Sequence, residues 1–189
     1  MKLQNLILIA AMCVVPAAQG ASFTYTGSLS GANEVPPVAS PGTGFAVVSV
    51  DTVTHLLTVD VTFSGLLAPT TASHIHCCTT PSAGVATQTP TFSGFPLGVT
   101  AGSYSHVFDM SLTSTFNASF VTANGGTAAG AEAALVAGLN LGNAYLNVHS
   151  SSFPAGEIRA NLVATPEPAA WSLMGLALAG LLVARKRFA

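Results

Sequence analysis

Charge is what this sequence has least of: five Lys and Arg and seven Asp and Glu in 189 residues, where about a quarter of the residues are charged in typical soluble domains. A chain so poor in charge is not a polyelectrolyte-like disordered segment, a long coiled coil or a phosphate-reading nucleic-acid binder, because each needs many charges or clusters of Lys and Arg. Positive charge is scarcer still in the interior. Lys2 opens the chain and Arg185, Lys186 and Arg187 crowd its end, so Arg159 is the one basic residue between them, against seven acids. Cysteine is also rare, with Cys13 near the start and only Cys77 and Cys78 beyond it. An adjacent pair can close a vicinal disulfide ring, bind a metal or stay reduced, but it cannot staple distant segments, so the fold must hold by its core. Enzyme signatures are missing too. Ser64-Gly65 and Ser93-Gly94 lack the Gly-x-Ser-x-Gly elbow of serine hydrolases. The acids are scattered singly, and no Gly-rich loop leads into a helix with a phosphate-holding Lys.

The two cationic ends read as targeting segments. Lys2, an apolar run from Leu6 to Ala18 and the small residues of Ala18-Gln19-Gly20 form the n-region, h-region and cleavage site of a secretory signal peptide over residues 1–20. Export removes Cys13 with the leader. At the other end, Pro166-Glu167-Pro168 precedes sixteen uncharged residues, 169–184, and then Arg185-Lys186-Arg187. At 1.5 Å per residue the run spans about 24 Å, enough for a short transmembrane helix when the basic side chains snorkel. Its large apolar residues, from Trp171 to Leu182, surround the helix rather than striping it. The basic tail orients such a span with residues 21–165 outside. The tripeptide, span and tail over residues 165–189 resemble the PEP-CTERM sorting signal of Gram-negative bacteria. That resemblance implies recognition by a membrane exosortase through Pro166, Glu167 and Pro168, and a membrane-anchored precursor that ends at the cell surface or in the medium. It also implies a setting in which exopolysaccharide or other matrix components are partners.

Between these ends, residues 21–164 read as one all-β domain. Alternation predicts strands over 23–29, 43–51 and 55–64, with Leu57, Val59, Val61 and Phe63 on one face of the last and Thr58, Asp60, Thr62 and Ser64 on the other. Asp51 to Thr54 supplies a turn between the second and third. Further strands are expected over 72–76, 104–112, 144–149 and 157–163, separated by Gly-, Pro-, Ser- and Thr-rich loops. One short helix is expected over 127–139, capped by Thr127. Short strands with one helix argue for an antiparallel β-sandwich or barrel, immunoglobulin-like or superoxide-dismutase-like.

Three motifs concentrate the polar chemistry. The first runs from Leu29 through Asn33, Glu34, Pro36 and Pro37; the second is His74-Ile75-His76 with Cys77 and Cys78 attached; the third is Tyr145-Leu146-Asn147-Val148-His149, followed by Gly156-Glu157-Ile158-Arg159. On a strand, side chains alternate, so His74 and His76 share a face while Ile75 enters the core. Asn147 and His149 repeat this around Val148, and Glu157 and Arg159 around Ile158. If the strands are neighbours, the pairs make one polar cluster with Glu34 delivered by its loop, and Arg159 is expected to pair with Glu157 or Glu34. The cluster has two readings. In one, the side chains form a hydrogen-bonded network that fixes strand register. In the other, His74, His76 and His149 hold zinc or copper, with Cys77 or Cys78 as extra ligands. His55 and His106 are expected at the surface, on strand ends.

The ordered motifs resemble the CHRD domain, a module named for chordin and found in exported bacterial proteins, over roughly residues 23–163. The resemblance implies an extracellular β-sandwich-like module. The expectation is therefore a non-enzymatic, exosortase-sorted surface module without a cofactor, adhering to or organising extracellular matrix. The alternative is a metal-binding or redox protein built on His74, His76 and His149.

Overall fold

The computed structural model describes residues 22–165. The expected leader at 1–20, the Pro-Glu-Pro segment, the span at 169–184 and the basic tail lie outside the described residues. Among the described residues no helix is long and apolar enough to cross a membrane.

The strongest alternation forms the most regular hairpin. Strand β2 (Thr43–Asp51) pairs antiparallel with β3 (Leu56–Ser64), from Thr43 opposite Ser64 to Asp51 opposite Leu56. The Asp51 carboxylate closes the turn by accepting from the amides of Val53 at 2.8 Å and Thr54 at 2.9 Å, a local bond that Asp makes readily. Ala46, Val48 and Val50 of β2 and Leu57, Val59, Val61 and Phe63 of β3 are all buried. The period of two read from the sequence is thus the period of burial.

The other strands are β1 (Ser22–Ser30), β4 (Thr70–Cys77), β5 (Gly102–Asp109), β6 (Ala144–Ser150), β7 (Ile158–Asn161) and β8 (Val163–Ala164). All eight belong to one antiparallel sheet, in the order β4-β6-β7-β1-β2-β3-β5, with β8 running on along β1. The sheet curls into a half-barrel. Twist makes a sheet of this width curl, and the curl wraps it around a core that helix and loop residues such as Leu135, Leu139 and Phe92 help to fill. The core runs from Tyr25, Val48 and Leu57 at one end to Ile75, Leu146, Val148 and Ile158 at the other.

Two helices follow β5, where the sequence led us to expect one. The expected helix is α2 (Ala128–Asn140), with the Thr127 hydroxyl accepting from the Gly130 amide. It packs on β4, β6 and β8 through Ala131, Leu135 and Leu139. The unexpected one is α1 (Ala118–Ala123), capped by Asn117. Its six residues bury only Val121, too little to write a helical period into the sequence.

Candidate metal centre

The topology makes neighbours of three strands that are far apart in the chain. Strand β6 lies between β4 and β7, with His74 opposite Asn147 and Asn147 opposite Arg159; Ala72 stands opposite His149, and His76 opposite Tyr145. Ile75, Leu146, Val148 and Ile158 fill the core side. His74, His76, Tyr145, Asn147, His149 and Arg159 therefore share the other face. Every residue of β6 is buried, because loops from 31–42, 78–101 and 151–156 fold over that face.

The loops meet the histidines through backbone carbonyls. His74 Nε2 is 2.6 Å from the Pro90 oxygen, His76 Nδ1 is 2.9 Å from that of Ala83, and His149 Nδ1 is 3.0 Å from that of Pro154. A carbonyl can only accept, so in each ring that nitrogen carries the proton and the other keeps its lone pair. Those other nitrogens, Nδ1 of His74, Nε2 of His76 and Nε2 of His149, are buried without a hydrogen-bond partner. The three residues can offer ligand atoms that all lie within 4.8 Å of one another. Burial pushes the pKa of all three rings down, and that of His149 to about 4 with the charge of His74 adding to the effect. Neutral imidazole is the ligand form.

Hydrogen bonds to carbonyls that set the tautomer are the usual outer support of metal-binding histidines. Three lone pairs buried and directed to a common space are costly when left unmet, and zinc or copper suits an all-imidazole set. The donor set fits such an ion. Among the described residues no Cys, Asp or Glu joins the three histidines.

Several expectations need correction. Cys77 and Cys78 form a disulfide with each other, which removes them as metal ligands. The ring packs on α2 at Gly138, where any side chain would collide with both sulfurs. Glu157 precedes β7 rather than belonging to it, so alternation does not govern its direction. Its carboxylate accepts from the Ser40 hydroxyl at 2.7 Å and the Leu67 amide at 2.6 Å, away from Arg159. Arg159 has no carboxylate partner among the described ion pairs. Its guanidinium lies 3.4 Å over the Tyr145 ring and donates to the Pro81 carbonyl at 2.8 Å and to Asn161 at 2.9 Å. His55 is on the surface with Glu132 at 2.8 Å, whereas His106 lies mid-strand between Tyr104 and Phe108.

Glu34 does arrive from its loop, and both its oxygens accept from Asn147 Nδ2 at 3.0 Å. Burial raises its pKa to about 7, against the opposing pull of Asn147 and Arg159. This is the one side-chain hydrogen bond within the expected cluster; the histidines bond to backbone instead. Tyr145 opens the third motif but was assigned no role from sequence, although alternation from Asn147 places it on the same face. It stacks on His76 with ring centres 4.8 Å apart and lies under Arg159, holding the imidazole and the cation in place at once.

A family model of the CHRD domain matches residues 25–162. A model of the PEP-CTERM protein-sorting motif matches residues 164–187. No curated protein and no solved structure matches the chain.

Proposed function

Because the chain belongs to the CHRD domain family and carries a PEP-CTERM protein-sorting motif, which marks an exosortase-sorted protein of the cell envelope or surface, we propose that it displays a bound zinc or copper ion there, held by His74, His76 and His149. The observation behind this reading is the convergence of three buried, unpartnered imidazole nitrogens whose tautomers are set by Pro90, Ala83 and Pro154. Three neutral nitrogen ligands leave the ion its full charge, which suits capture and presentation of a metal at the surface. In the purified protein loaded with zinc or copper and then dialysed, elemental analysis is expected to find one ion per chain. His76→Ala is expected to lose it while keeping the far-ultraviolet dichroism of the parent. A folded parent that stays metal-free after loading with either ion overturns the proposal.

A second reading, adhesion to matrix, draws on the outer face of the sheet. Thr24, Ser49, Thr58 and Val107 align across β1, β2, β3 and β5, and Ser28, Phe45, Thr62 and Ser103 form a parallel row. All are at least partly exposed, and Asp60 is the only charge between the rows. Such a surface suits a neutral, hydroxyl-rich polymer rather than a charged one. Binding to immobilised dextran is expected to survive high salt and to fall with Phe45→Asp. Release by salt alone would count against this face.

A further inference from the structure

Zinc and copper sites with three protein nitrogens take a fourth ligand, and among the described residues no other His, Cys, Asp or Glu stands in reach. The disulfide turns both sulfurs toward α2, so they are not that ligand. One further buried polar atom on the same face lacks a partner: Oδ1 of Asn147. Asn147 is 2% exposed, directly opposite His74, and the next residue on its face before His149. It thus adjoins two of the three ligands in register. Its amide is not free to turn. Nδ2 donates to both oxygens of Glu34, which directs Oδ1 away from the carboxylate. Gly156 closes over the pair, and a side chain there would strike Asn147 Nδ2 and Glu34 Oε1.

We infer that the ion keeps one position open to water, and that Asn147 is the positioning residue for it: Oδ1 accepts a hydrogen bond from the bound water while Glu34 holds the amide in that orientation. This rests on the three-histidine reading. The site then exchanges its fourth ligand for small exogenous donors, and Asn147 favours those that bring a proton to share. Azide has none; replacing the water with it leaves Oδ1 unmet, a penalty comparable to one lost hydrogen bond.

Cobalt(II) makes the exchange visible, because its absorption bands respond to the fourth ligand. The full protein loaded with cobalt(II) is expected to show a saturable change of its visible spectrum on adding azide. Asn147→Ala, in which solvent can reach Glu34, is expected to keep one cobalt per chain and to bind azide about tenfold more tightly. A residue with only a structural role would leave azide affinity unchanged or weaken it, and either result overturns the inference. So does a parent spectrum indifferent to azide, which would mean a closed site with Asn147 itself as a ligand. A parent that takes up no cobalt, zinc or copper fails earlier, at the three-histidine reading.

Discussion

Acidifying the metal-free protein from pH 6.5 to 4 is expected to reduce its stability. His149 has its folded pKa lowered from 6.5 to about 4, first by burial, a difference worth about 3 kcal/mol. Between these values the unfolded chain takes up a proton that the folded ring refuses, so each step of acidification favours unfolding. The stabilisation is complete above pH 6.5 and is lost as the pH falls through about 4. His74 and His76, lowered in the same direction by burial, add to the loss. Glu34 opposes it. Its folded pKa of about 7 against an ordinary 4.5 gives stability that is full below 4.5 and lost as the pH rises through 7, of similar size to the His149 contribution. Three histidines against one carboxyl give a net loss on acidification, and Glu34→Gln is expected to deepen it by removing the opposing effect. The Arg159 charge, which also depresses His76, does not titrate in this window. Urea midpoints measured from pH 7.5 to 4 provide the check. A flat profile in Glu34→Gln, where no raised carboxyl opposes the histidines, would mean that the three rings are not held neutral. Bound zinc or copper is expected to hold stability up until protons displace it at lower pH.

Ile75→Ala is expected to cost about 2–5 kcal/mol, the range for removing a large aliphatic side chain from a packed core. Ile75 is fully buried. It is also the residue between His74 and His76, and its backbone amide is tied to the Thr87 hydroxyl at 2.9 Å. A cavity beneath the strand lets His74 and His76 drift relative to His149, which comes from a different strand. The urea midpoint should therefore fall together with metal affinity, whereas His76→Ala should reduce metal affinity far more than stability. A loss below about 1 kcal/mol for Ile75→Ala would contradict the tight packing on which the site geometry depends.

Much of the fold was legible because its causes are local. The expected strand at 43–51 is β2 as observed, 55–64 is β3 (Leu56–Ser64) but for its first residue, and the Thr127 cap opens α2. Helix α1 was invisible because six residues with one buried side chain carry no period. The direction of Glu157 was misjudged because the alternation argument was extended past the start of β7 into a bend that obeys a different geometry. For Arg159, charge suggested a carboxylate partner; the strand register instead puts Asn147 opposite it, and its guanidinium reaches diagonally over the Tyr145 ring.

The sequence by itself determined the faces: His74 with His76, Asn147 with His149, and Ile75, Val148 and Ile158 inward, since alternation on a strand needs no knowledge of its neighbours. It also determined that Cys77 and Cys78 cannot join distant segments. Only the tertiary structure decided that β6 lies beside β4, which brings His149 to a pair of histidines seventy-odd residues earlier. Only it decided which loop carbonyls choose the tautomers, and that the disulfide faces α2 rather than the histidines. Strand order, loop closure and the curl of the sheet are set by burial summed over the whole chain. No short stretch of residues encodes that sum, and so the three histidines were visible in the sequence while their meeting point was not.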